Sequence, residues 1–175
     1  MHRTPPTPMH PALKRRNATT VGAMPPIDAE ARRARARALQ QAARAGTTQP
    51  LLRGKNLGLL CEAADNGDAE LFRRAAVELG AHVAHLPPSL SESSTPQEVQ
   101  HTARMLGRLY DAVECQGMAP ALVLQMGHDA GIPIYDGIAS PRHPTATLAA
   151  LLGDGASPAD NRRFVVQALL LNTLT

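Results

Sequence analysis

The stretch CEAADNGDAELF, residues 61–72, lies between an apolar run, NLGLL, and a segment of helical pattern, AELFRRAAVELG. A strand, a short glycine-containing loop and a helix make a common layout for a phosphate site. The first N–H groups of such a helix have no intrahelical partner and face an anion. This loop, however, carries Asp65 and Asp68 and no basic residue. Carboxylates in that place repel an anion and cap the helix themselves, so Asp65 or Asp68 is expected as the N-cap.

Other residues offer chemistry on weaker patterns. His82 and His85 suggest a metal pair, but an offset of three on a strand sends the two rings to opposite faces, and surface histidines are the simpler reading. Cys61 and Cys115 lie near strand ends and could approach each other, or join His143 in a soft metal site. No CxxC or CxxH spacing supports this, and two buried thiols are expected, with no metal and no cofactor. Glu62 and Asp136 are an acid–base candidate at strand ends. Ser91, Ser93 and Ser94 could hold an anion. A helix cap by Ser94 or Thr95, with Glu98 completing a capping box for Thr95, is the preferred reading.

The elements that position these residues can be read from hydropathy. The 175 residues suffice for one domain with a core; with aromatics at 2% that core is built from Leu, Val, Ala and Met. Residues 1–25 are rich in Pro, Thr and basic residues without periodicity and are read as a disordered tail. PIDAEARRARARALQQAARAG is read as a first helix, with Asp28 as N-cap, Gly46 as stop, and Ala31, Ala34, Ala38, Leu39 and Ala42 on its packed face. Arg32, Arg33, Arg37 and Arg44 would then be solvated. No stacking aromatics accompany them, so nucleic-acid binding is not expected.

Beyond it, strands and helices alternate: KNLGLLCE, HVAHLP, DAVECQG and IPIYDGI as strands, each followed by a helical segment. This alternation predicts an α/β fold: a three-layer domain over residues 26–175 with a four-stranded parallel sheet flanked by helices. Ligands of such sheets bind at the carboxyl ends of the strands. The last segment, residues 158–174, is apolar around much of its circumference and is expected to close the domain as a buried helix. No run is long and apolar enough to span a bilayer, no secretory leader is visible, and two cysteines suit a reducing compartment; a cytoplasmic location is expected.

The blocks LLRGKNLGLL, ELGAHVAHLPPS, HTARMLGRLYDAVECQG, AGIPIYDG and HPTATLAALL follow one another in an order and at a spacing that resemble the carbamoyl-phosphate domain of the transcarbamoylases. The likeness is above all to ornithine carbamoyltransferase, whose middle pattern runs near DTARVLGRMYDxIxYRG. ADNRRFVVQALLLNTL resembles that family's last helix. The resemblance spans about residues 27–175 and implies that the family's second, amino-acid-binding domain is missing from between the last two helices. The family's Ser-Thr-Arg-Thr-Arg signature aligns onto Asp65, Asn66, Gly67, Asp68 and Ala69. Its Tyr-Arg-Gly arginine aligns onto Gln116. Its His-Pro-Thr-Gln aligns onto His143, Pro144, Thr145 and Ala146.

The resemblance thus implies a degenerate carbamoyl-phosphate site. Each lost charge-assisted hydrogen bond costs roughly 1.5–3 kcal/mol. Three together cost about 5–9 kcal/mol, a thousandfold to a millionfold in affinity. The expected function is a homologue without transferase activity, tied by ancestry to arginine metabolism and acting as an oligomerising or regulatory protein. It would form a homotrimer, or a mixed assembly with a full-length carbamoyltransferase. The alternative is a small-molecule binder or an enzyme of altered chemistry. Its crevice, lined by His143, Thr145, Gln116, Asp65 and Asp68, would prefer a cationic amine to phosphate.

Overall fold

The computed structural model describes residues 26–153 and 155–175; the expected tail over residues 1–25 lies outside them. Four strands, β1 (Asn56–Leu60), β2 (His82–Leu86), β3 (Ala112–Cys115) and β4 (Ile134–Asp136), form one parallel sheet in the order β2-β1-β3-β4. Six helices flank it among the described residues: α1 (Pro26–Arg44), α2 (Gly67–Glu78), α3 (Pro96–Leu109), α4 (Pro120–Ala130), α5 (Pro144–Ala150) and α6 (Pro158–Leu174). The anticipated α/β architecture and its closing helix are both present.

The two-residue period of the strands divides the core. Leu57, Leu59, Cys61, Ala112 and Tyr135 face α2 and α6, whereas Leu60, Val113, Cys115 and Ile134 face α3 and α4. The cysteines therefore lie in cores on opposite faces of the sheet, both as buried free thiols. The considered approach of one to the other does not occur. Burial pushes both thiols above their ordinary pKa.

Helix α6 explains its own composition. Val166, Leu169, Leu170 and Leu171 enter the core against the sheet, while Phe164, Val165 and Ala168 pack with Ala36 of α1 and Leu148 and Ala149 of α5. A helix covered on two sides needs no polar face. Burying each leucine is worth about 1.5–3 kcal/mol relative to leaving it exposed. Between α5 and α6 only residues 151–157 intervene, and no second domain stands there.

The packing of α1 differs from the expectation. Its buried stripe is Arg32, Ala36 and Gln40, while Ala31, Ala34 and Ala38 are exposed. Alanine has too little apolar area to fix a helix's rotation. The polar contacts of α6 do so instead: Gln40 Nε2 donates to Asn161 Oδ1 at 3.1 Å, and Arg35 donates to Asn172 Oδ1 at 2.7 Å. Asp28 also lies inside the first turn, not at a cap. Gly46, just past the helix, has φ of 67°.

On the other face α3 and α4 approach closely. A Cβ added at Gly107 would stand 2.0 Å from the carbonyl oxygen of Ala130, so only glycine fits there. Thr95 caps α3 with the expected capping box, its side chain accepting from Glu98 N while Glu98 accepts from Thr95 N at 2.7 Å.

Candidate functional site

The carboxyl edge of the sheet opens into a crevice of about 690 Å³. Its polar lining comes from Cys61 and Glu62 after β1, Asn66 at the start of α2, Ser91 and Glu92 after β2, and Gln116 after β3. Of the expected lining only Gln116 is placed there; Asp65, Asp68, His143 and Thr145 are not. The reason is the turn at α2. Asn66, not Asp65 or Asp68, is the N-cap, and its Oδ1 accepts from Asp68 N at 2.8 Å and from Ala69 N at 2.9 Å. The cap takes the N–H groups that an anion would need, and Gly67 and Asp68 are carried around the first turn, away from the crevice.

Asp68 meets an arginine that the local sequence does not reveal. Arg162, in the first turns of α6, reaches Asp68 Oδ1 at 3.4 Å and donates to the carbonyl of Ala139 at 2.8 Å. A search for cations near the loop in sequence misses a residue ninety-four positions away. The signal available was the Asn-Arg-Arg opening of the closing helix.

A second missed residue is Glu114. All four positions of β3 are buried, and Glu114 is wholly so. A carboxyl group inside the apolar run AVEC was the available sign. Burial pushes its pKa up to about 8, opposed by hydrogen bonds from the backbone at Ile138 and Ala139 and from Gln116. Gln116 Nε2 stands 3.4 Å from Glu114 Oε1; Glu114 Oε2 and Gln116 Oε1 are buried acceptors without a hydrogen-bond partner.

His143 is the N-cap of α5. Its Nδ1 accepts from Thr145 N at 3.2 Å, which leaves the proton of the neutral ring on Nε2. Thr145 Oγ1 donates to the carbonyl of Ile138 at 2.6 Å. Arg162, Thr145 and Glu114 therefore all hold the segment 138–139, and Ala146 follows in the half-buried first turn of α5.

The remaining candidates do not converge. Glu62 follows β1 and Asp136 ends β4, with β3 between them, so the acid–base pair is separated by two strand spacings, about 10 Å. Burial raises the pKa of Asp136. His85 Nε2 lies 2.8 Å from the carbonyl of Cys61, tying the end of β2 to β1. Ser91 and Ser93 join hydroxyls at 2.7 Å, and Ser94 Oγ accepts from Ser91 N at 3.0 Å. Among the described residues no three His, Cys, Asp or Glu gather to hold a metal, and no helix is long and apolar enough to cross a membrane.

A parallel α/β sheet with its crevice at the carboxyl edge defines a ligand-binding domain of the open-sheet class. Residues 16–153 match the family described as "Aspartate/ornithine carbamoyltransferase, carbamoyl-P binding domain", and the chain belongs to this family. It is 40% identical over 111 residues to the ornithine carbamoyltransferase of Cutibacterium acnes, covering 63% of this chain and 33% of that protein. The chain thus spans about a third of the length of the curated relatives it matches. Among solved structures it is similar to the ornithine carbamoyltransferase of Pyrococcus furiosus, with TM-score 0.63 and 23% identity over 72% of this chain and 40% of that one. It is likewise similar to the catalytic subunit of M. jannaschii aspartate transcarbamoylase, with TM-score 0.61 and 20% identity over 76% of this chain and 44% of that one. At these identities the two structures speak for the fold alone.

Proposed function

We propose that this chain is a carbamoyltransferase-family protein without transferase activity, acting through assembly. It would form a homotrimer, or enter a mixed assembly with a full-length carbamoyltransferase, and residues 26–175 would act as one α/β unit. One observation carries the reading. The N-terminus of α2, the phosphate end in the family resemblance, is closed by the Asn66 carboxamide and carries Asp68 in its first turn. The positions that align with the family's anion contacts hold Asp65, Asn66, Gly67, Asp68, Ala69 and Gln116, none of them a cation; His143 and Thr145 remain, and Ala146 has lost the carboxamide. The nearby cation, Arg162, is engaged by Asp68 and the Ala139 carbonyl. What remains is a folded scaffold without a cationic grip on a dianion.

Two measurements test this. Titration calorimetry with carbamoyl phosphate is expected to give no saturable heat, and micromolar uptake overturns the loss of chemistry. Light scattering after size exclusion, alone and mixed with a full-length ornithine carbamoyltransferase, is expected to show a trimer or a mixed species. A monomer that ignores the enzyme overturns the assembly.

A further inference from the structure

The sheet has two edges, and they are finished differently. β4 ends one side with three residues, of which Ile134 and Tyr135 are buried. β2 ends the other with five, of which His82, Ala84 and His85 are exposed. His82 N donates to the carbonyl of Lys55 and Cys61 N to the carbonyl of Leu86, so residues 82, 84 and 86 form the ladder with β1. The alternation turns the backbone N–H and C=O of Val83 and His85 outward. Proteins commonly protect such an edge with charge, proline or a bulge. The run AHVAHL, residues 81–86, contains no Lys, Arg, Asp, Glu or Pro, and the register of β2 with β1 is unbroken.

The helices beside this edge carry exposed apolar side chains on the flank that faces it. On α3, Gly107 meets α4 at the Ala130 carbonyl, and Met105 and Leu109 lie exposed on the opposite flank. On α2, Ala75 and Glu78 are bound by Gln167 of α6, and the exposed Val77 points away from α6. α4 packs on β4, and α6 reaches β4 through Thr173 and Tyr135, so both of these flanks look toward β2.

We propose that β2 pairs antiparallel with β2 of a second copy of this chain, about a two-fold axis at Ala84. Val83 then lies opposite the partner's His85, and His85 opposite the partner's Val83, which closes four backbone hydrogen bonds. Ala84 faces the partner's Ala84 at the intervening non-hydrogen-bonded pair, where Cα atoms stand about 4.5 Å apart. The choice of occupant follows from the flanks. An unrelated extended peptide satisfies the edge but leaves Val77, Met105 and Leu109 in water, whereas a second copy brings its own α2 and α3 alongside them. Neither strand sets a Lys, Arg, Asp or Glu against its like across the axis. The contact is two-fold, so it adds to the three-fold or mixed assembly of the proposed function and does not rest on it.

The test is sedimentation velocity of the full chain over a concentration series, with circular dichroism to confirm the fold of each variant. A dimer is expected, or a hexamer where a three-fold assembly also forms. Ala84→Lys, at an exposed position, opposes two charges at the axis and should weaken the two-fold association about tenfold or more. Leu151→Lys, which removes an exposed leucine elsewhere, should leave it unchanged. Ala84→Cys is expected to cross-link into a covalent dimer under oxidised glutathione, and His82→Cys is not, because His82 stands opposite the partner's Leu86. The two native thiols are buried and give little background. Association that ignores Ala84→Lys overturns the pairing, as does an Ala84→Cys chain that forms no cross-link. A trimer unaffected by either change overturns the pairing and leaves the assembly reading standing, whereas a monomer at every concentration counts against both.

Discussion

Two carboxyl groups in this molecule stand among polar partners, Glu78 half-buried and Glu114 wholly buried, and they are organised in opposite ways. In the seam between α2 and α6, Glu78 accepts from Arg163 with both oxygens, from Arg74 at 3.0 Å and from Gln167 at 3.0 Å, while Arg163 also donates to Asp160 at 3.0 Å. Arg163 further lies over the Phe164 ring, 4.7 Å from its centroid. Behind Gln116, Glu114 has one long side-chain contact, from Gln116 at 3.4 Å, besides the backbone at Ile138 and Ala139. The seam is a matched set of charges; Glu114 is a lone buried carboxyl whose pKa burial raises. The domain completes its polar network where it holds the last helix and leaves it sparse at the end of β3.

The sharpest way to separate the two regions is pH. The folded pKa of Glu114 is raised from 4.5 to about 8, so the folded chain retains a proton that the unfolded chain releases over that interval. Stability therefore falls as pH rises from about 4.5 to 8, by on the order of 5 kcal/mol, and then levels off. Urea unfolding at pH 5 and pH 8 should show this loss in the native chain and little of it in Glu114→Gln. A flat profile in the native chain would mean that Glu114 is better paired than its side-chain contacts indicate.

Breaking the seam has the next largest effect. Glu78→Ala leaves the nearly buried Arg163 with Asp160 alone and should cost about 3 kcal/mol, read as a lower urea midpoint. Packing without charge gives the reference: Gly107→Ala drives a Cβ into the Ala130 carbonyl and should cost about 2 kcal/mol by thermal unfolding. The smallest expected loss is Asn66→Ala, about 1 kcal/mol for a missing cap. If Asn66→Ala instead also admits carbamoyl phosphate in calorimetry, the cap alone was the barrier.

The sheet, its helices and the fate of the closing helix were legible because each rests on a strong period: apolar strands of three to five residues, and a final helix with no polar side. The capping box at Thr95 was legible for the same reason, since its residues are adjacent in sequence. The rotation of α1 was not. Alanine and arginine at neighbouring positions give no gradient, and the deciding contacts, Gln40 with Asn161 and Arg35 with Asn172, come from the far end of the chain. The acidic character of the loop is plain in the sequence, but the choice of Asn66 over Asp65 and Asp68 as its cap depends on backbone geometry alone. Arg162 was invisible until the fold brought α6 to α2.

The short connection from α5 to α6 carries a further consequence. Among the described residues of the joint, Leu152 is buried while Gly153 and Gly155 are exposed and left-handed. Such a joint is a grafting point: a whole folded module can be spliced in there while the helices on either side keep their mutual packing, because lengthening an exposed loop adds little closure entropy. The same bridge allows a large internal excision to leave the remaining chain able to close on itself.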